Sequence, residues 1–170
     1  MYFSKSPIYF LFFFLSIANL MAQKPINMIF FIGDGTGLNQ ISAGNYVNDN
    51  HTAFEDFQYI GLSKTHSYDN LVTDSAASGT AMSSGIKTHN FVVGLDENKN
   101  PIPNIFELCQ SNGYKTALIA TSTIVHATPA AFFAKINSRY KYYEIAFQLT
   151  KSKVDYFMGG GKKYFISRKD

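Results

Sequence analysis

The chain has 170 residues, 46% of them hydrophobic and 16% charged, with a formal charge of +3 that includes Lys5 near its start. No block of lysines or arginines forms a basic patch, so a nucleic-acid partner has no support in the sequence. The single cysteine, Cys109, excludes an internal disulfide and sits in the apolar pattern "NIFELCQSNG" as a buried helix position.

In chain order the first element is "MYFSKSPIYFLFFFLSIANLMAQ": a short start carrying Lys5, an apolar run from Ile8 to Ala18, and the small residue Ala22 as a cleavage point. That layout predicts a secretory signal peptide over residues 1–22 and an exported protein, periplasmic or secreted. The run is short for a membrane span, so stable membrane insertion is not expected, a retained anchor being the alternative. Residues 23–170 then have the length of one domain.

Next comes "NMIFFI" (27–32), a continuous apolar run that reads as a buried strand feeding the turn "GDGTG". "LNQISAGNYV" reads as the following helix and "QYIGLSKTH" as a second strand region. The small-residue stretch "SAASGTAMSSG" predicts a helix starting near Ser75, capped by Thr73 or Asp74. In "PIPNIFELCQSNG", Pro103 lies near a helix start and Gly113 just past its end. "YKTALIAT" reads as another buried strand, "YYEIAFQL" as a helix, and "VDYFMGGG" as a strand running into glycines. This alternation predicts an α/β fold, a mainly parallel sheet sandwiched by helices. Ligands of such sheets bind beyond the carboxyl ends of the strands, which directs attention to the residues there.

Four places carry chemistry. In Gly33-Asp34-Gly35-Thr36-Gly37 the glycines permit a tight turn and present a carboxylate suited to a hard cation or zinc. A dinucleotide fingerprint competes, but Leu38 stands where its third glycine should fall, and Asp34 would repel a pyrophosphate. Ser75 lies in a first helical turn, where free N–H groups and the helix dipole favour an anion. His126 and Thr128 are two residues apart; if extended, an imidazole and a hydroxyl share one face and one ion. Arg139, one of two arginines, supplies the planar fork that suits phosphate; the other, Arg168, lies in a polar tail. Each has an ordinary structural reading taken singly: turn former, helix cap, core histidine, solvated arginine. Together they are the parts of metal-assisted phosphoryl transfer. A general serine hydrolase fits less well, because Thr73 and Ala77 stand where Gly-x-Ser-x-Gly needs glycines.

From about Pro25 onward the sequence resembles the alkaline phosphatase family, on "NMIFFIGDGTG", "VTDSAASGTAMSSGIKTHNFVVGLD", "IVHATPAAF" and the thirteen-residue step from His126 to Arg139. "GDG" alone also fits the sulfatases and phosphodiesterases of the same superfamily, which are the alternative. The resemblance implies phosphate monoester substrates hydrolysed through a phosphoserine, with zinc and magnesium as cofactors. It makes Ser75 the nucleophile and a zinc ligand, and Asp34 the carboxylate between that zinc and the magnesium. His126 and Thr128 match the magnesium-side pair; some bacterial members have Asp where His126 stands. Arg139 matches the arginine on the non-bridging phosphate oxygens, and Asp74 is expected to orient it. The family's later half supplies most zinc ligands, so residues 23–170 are expected to be the N-terminal part of such a domain. A homodimer is the assembly many relatives suggest, and a non-catalytic exported fragment is the alternative to an active enzyme.

Overall fold

The computed structural model of the chain describes residues 26–167, so the expected signal segment 1–22 and Arg168 lie outside the described residues. The described residues divide into two units, one ending at Gly33 and one beginning at Asp34. In the first, residues 26–33 carry no strand, and Met28, Ile29 and Phe31 are exposed. The strand expected over 27–32 is therefore not found. A continuous apolar run makes a parallel-sheet strand when layers cover both its faces, and these side chains are open. The same holds for 58–66, where Tyr59, Ile60 and Leu62 are exposed and the backbone is irregular.

The second unit begins with helix α1 (Leu38–Val47), whose entry is fixed by the Gly37 N–H donating to Gln40 Oε1. A 3-10 turn over Ala53–Asp56 follows, then the small-residue helix α2 (Ser75–Ser84) and α3 (Ile105–Ser111). Strand β1 (Ala117–Thr123), a short helix α4 (Ala127–Ala130), α5 (Tyr142–Lys151) and β2 (Tyr156–Gly160) complete the regular elements, with a last 3-10 turn at Lys162–Tyr164. Asn104 caps α3 reciprocally: its side chain accepts from the Glu107 N–H while the Glu107 carboxylate accepts from the Asn104 N–H. Cys109 lies on this helix half-buried, more open than its apolar setting suggests.

Strands β1 and β2 pair in parallel, with Ala117 opposite Tyr156 and Ile119 opposite Met158. Asp155 pins the start of the ladder by accepting from Lys115 Nζ at 2.7 Å and the Thr116 N–H at 2.9 Å. The helices α4 and α5 lie in the crossover between the strands, as parallel pairing requires. Of the apolar side chains on β1 only Leu118 is buried, so the expectation of a buried strand is met only in part.

The core lies instead between α2, α4, α5 and the segment after α2. Ala76, Val93, Val125, Ala130, Ala134 and Ile145 are fully enclosed. Small side chains on α2 make this possible. A β-carbon at Gly79 would stand 3.2 Å from Ala131 Cβ, tighter than packing normally allows, with Thr128 Cα in contact at 3.4 Å. Ser83 completes the contact by donating to the Ala131 carbonyl at 2.8 Å. Close approach of α2 to α4 carries Thr128 to the end of α2 where Ser75 sits.

Candidate active site

The start of α2 organises the site. Asp74 is the N-cap, in extended conformation, and its Oδ1 accepts from the Ala77 N–H at 2.9 Å. Its other oxygen, Oδ2, accepts from Arg139 Nη1, also at 2.9 Å. One carboxylate thus caps the helix and holds the arginine. Both side chains are largely buried, 16% and 13% exposed, so water screens this pair less than a surface ion pair.

Ser75, the first helical residue, donates from Oγ to Asp34 Oδ1 at 2.9 Å. Thr128 donates from Oγ1 to the second oxygen, Asp34 Oδ2, at 3.0 Å. Asp34 occupies the turn predicted for it, and both of its oxygens are directed into the site. Residues separated by 41 and 94 positions meet on one carboxylate.

His126 and Thr128 are not both extended, as the two-residue spacing suggested. His126 is the extended N-cap of α4 and Thr128 lies within the helix. Pro129 falls in the first turn, where its missing N–H leaves no intrahelical bond unmade, so the helix starts ahead of it. Thr128 reaches Asp34, whereas His126 Nε2 lies 3.0 Å from Arg139 Nη2. A guanidinium only donates, so Nε2 is the acceptor and the ring is neutral with its proton on Nδ1. Burial, and secondarily the Arg139 charge, holds the imidazole below its ordinary pKa, partly opposed by Asp34.

The donor chemistry decides which metal these residues suit. Asp34, Ser75 and Thr128 offer clustered oxygens, the preference of magnesium, which keeps several waters. Among the described residues no group of three His, Cys, Asp or Glu forms a metal centre. Asp34 and Ser75 alone fall short of the three protein ligands that catalytic zinc takes.

The predicted residues form two hydrogen-bonded groups, Ser75 and Thr128 on Asp34, and Asp74 and His126 on Arg139, which the chain joins at Asp74–Ser75. One residue bonded to the second group is not legible in the sequence. Asn90 accepts from the Asp74 N–H and donates to the Val72 carbonyl, each at 3.0 Å. It stands in "KTHNFVVG", inside a stretch that carries the family resemblance, but its own amide does not titrate and does not mark it as a site residue.

Residues 25–170 match the family model described as alkaline phosphatase. Among curated proteins, the chain is 39% identical over 159 residues to alkaline phosphatase 4 of Bacillus subtilis (strain 168), covering 85% of this chain and 34% of that protein. Over 180 residues it is 31% identical to alkaline phosphatase of Escherichia coli (strain K12), covering 88% of this chain and 38% of that one. The solved alkaline phosphatase of the Antarctic bacterium TAB5 superposes with a TM-score of 0.77 at 44% identity, over 80% of this chain and 40% of that chain. A mutant of the TAB5 enzyme with magnesium bound in its M3 site gives 0.77 at 43% identity, over 80% and 39%. The chain spans about a third of the length of the first curated relatives it matches. The expected α/β class, parallel strands flanked by helices, agrees with these structural neighbours.

Proposed function

The chain belongs to the alkaline phosphatase family, and we propose on that premise that it carries the phosphoryl-accepting part of a phosphate monoester hydrolase. Ser75 Oγ attacks phosphorus, the ester P–O bond breaks, and the alcohol leaves with a proton. Water then attacks the phosphoserine, and inorganic phosphate departs as Ser75 regains its hydrogen. The observation that supports this most directly is the pair of neighbours Asp74 and Ser75, one holding Arg139 at 2.9 Å and the other on Asp34 at 2.9 Å. Asp74, the residue before the nucleophile, holds the guanidinium, whose remaining N–H groups can bind two non-bridging oxygens of the transferring group. Asp34 accepts the serine hydrogen and fixes the hydroxyl's direction.

Asp34, Ser75 and Thr128 would hold magnesium, with His126 at the border of the site. When bound there, a divalent cation would lower the pKa of the serine hydroxyl and offset phosphate charge. Zinc, which the family resemblance also implies, needs donors from outside this group. The leader's layout supports export to the periplasm or beyond, and a homodimer is the proposed assembly. A second reading, phosphate binding without turnover, rests on the donor set, in which Asp34 and Ser75 fall short of the three protein ligands of catalytic zinc. Release of the alcohol from a simple aryl phosphate at alkaline pH, with magnesium and zinc, separates the two. Turnover that falls at least about 10³-fold in Ser75→Ala is the expected result; equal rates in both proteins would overturn it.

A further inference from the structure

We propose that Asn90 and Phe91 are positioning residues that set the distance between the nucleophile turn and Arg139; the proposal rests on the phosphatase reading above. The side-chain amide of Asn90 grips the backbone just ahead of Ser75 at two points. Its Oδ1 accepts from the Asp74 N–H, a group outside the helical hydrogen-bond ladder, and its Nδ2 donates to the Val72 carbonyl. A planar amide can be acceptor and donor at once, which Asp, Ser or Ala cannot reproduce in the same shape.

The next residue faces the other half of the site. Phe91 has φ +71°, the left-handed region, which a bulky side chain adopts only when its surroundings hold it there. In that conformation its carbonyl accepts from the Arg139 N–H at 2.8 Å. Its ring lies 5.8 Å from that of Tyr140, beside the arginine. Two residues further on, Val93 and Ile136 exchange backbone hydrogen bonds at 2.9 and 2.8 Å, tying the same stretch to the segment that leads to Arg139. The Asp74–Arg139 ion pair closes the circuit: Asn90 to Asp74, Asp74 to Arg139, Arg139 to Phe91. Backbone strain of this kind concentrates at sites where geometry has to be held. Here one residue's side chain holds the backbone ahead of the nucleophile, and the next residue's carbonyl holds the Arg139 N–H. Misplacing a reacting group by an ångström costs on the order of 10²-fold in rate, so a device that fixes this spacing acts on catalysis without touching substrate.

The test uses the full chain, labelled with nitrogen-15, as wild type, Asn90→Ala and Phe91→Gly. In Asn90→Ala the Asp74 amide should exchange at least about tenfold faster and the Arg139 guanidinium should lose its restricted rotation, while the Val93 and Ile136 amides keep their wild-type exchange. The inorganic phosphate concentration giving half-saturation should rise about tenfold. Phe91→Gly, which takes a left-handed φ freely and so preserves folding, should weaken phosphate binding in the same direction and speed exchange of the Arg139 amide. Wild-type Arg139 signals in both variants would overturn the proposal. So would a loosening spread equally over Val93 and Ile136, which marks a purely structural role. Failure of the wild-type chain to bind phosphate would sink the phosphatase reading, and the Arg139 signals alone would then decide whether the bracket exists.

Discussion

Asp74 divides its carboxylate between a helix N–H and a guanidinium, and each half has its own energetic scale. The cap contributes on the order of 1 kcal/mol to α2. The ion pair, largely buried, makes either partner costly to remove alone, because the other is left buried and unpaired. The two partly covered histidines respond to pH in opposite senses. His126 has a lowered pKa, chiefly through burial, so the unfolded chain binds its proton first and stability falls as pH drops below about 6.5. His89 has a raised pKa because it donates to the Asp69 carboxylate at 3.0 Å, with its other nitrogen on the Glu97 carbonyl at 3.1 Å. Its contribution is complete below the ordinary histidine pKa and disappears as pH rises through the raised value. Urea midpoints measured from pH 6 to 9 should therefore decline less steeply in His89→Gln than in wild type. Parallel curves would show that the Asp69 contact adds nothing to folding. Ser75, Asp34, Thr128 and Arg139 were legible because hydroxyls, carboxylates and a rare arginine advertise chemistry. Asn90 was not, since its partners lie 16 and 18 residues back and an amide titrates nothing.

Helix α2 explains why its sequence is nearly bare of bulk. Its buried positions, Ala76, Ala77, Gly79, Thr80 and Ser83, let α4 approach closely enough for Thr128 to reach Asp34. A valine at Gly79 would push against Ala131 Cβ and the Thr128 backbone and force the helices apart. Overpacking of this kind costs about 1–3 kcal/mol. Chemical denaturation of Gly79→Val should show that loss together with weaker phosphate binding; unchanged binding would mean that the α2–α4 spacing does not govern the site. A neighbouring glycine works by conformation as well as space. Gly94 has φ +66°, and a β-carbon there would stand 2.1 Å from the Ala134 carbonyl oxygen, so the Val93–Ile136 bridge forms only beside a glycine. The end of α2 at Gly85, in the left-handed region, was not read; its start could be read from the Thr73-Asp74 pair ahead of Ser75, of which Asp74 is the cap. The onset of α4 could not, because Pro129 marks a first turn without saying which of its positions it fills.

At the scale of the molecule, the parallel β1–β2 pair and its crossover helices followed from alternating apolar runs and helical patterns. Runs 27–32 and 58–66 carry the same apolar signal without becoming strands, since a strand is completed by neighbours that a local pattern does not contain. Ile119, Tyr156, Phe157 and Met158 remain open on the sheet, in a chain spanning about a third of the length of its first curated relatives. The site, by contrast, is built from distant positions of the chain, with Asp34 meeting Thr128 across 94 residues. Those meetings could be named from the sequence only because the family resemblance links them. The central claim is that Ser75 takes the phosphoryl group. Its most direct measurement is acid-quenched mass spectrometry of the chain after incubation with an aryl phosphate, magnesium and zinc. Phosphate on the Ser75 peptide, absent from Ser75→Ala, is the predicted result. Phosphate on another residue, or turnover that persists in Ser75→Ala, would contradict it.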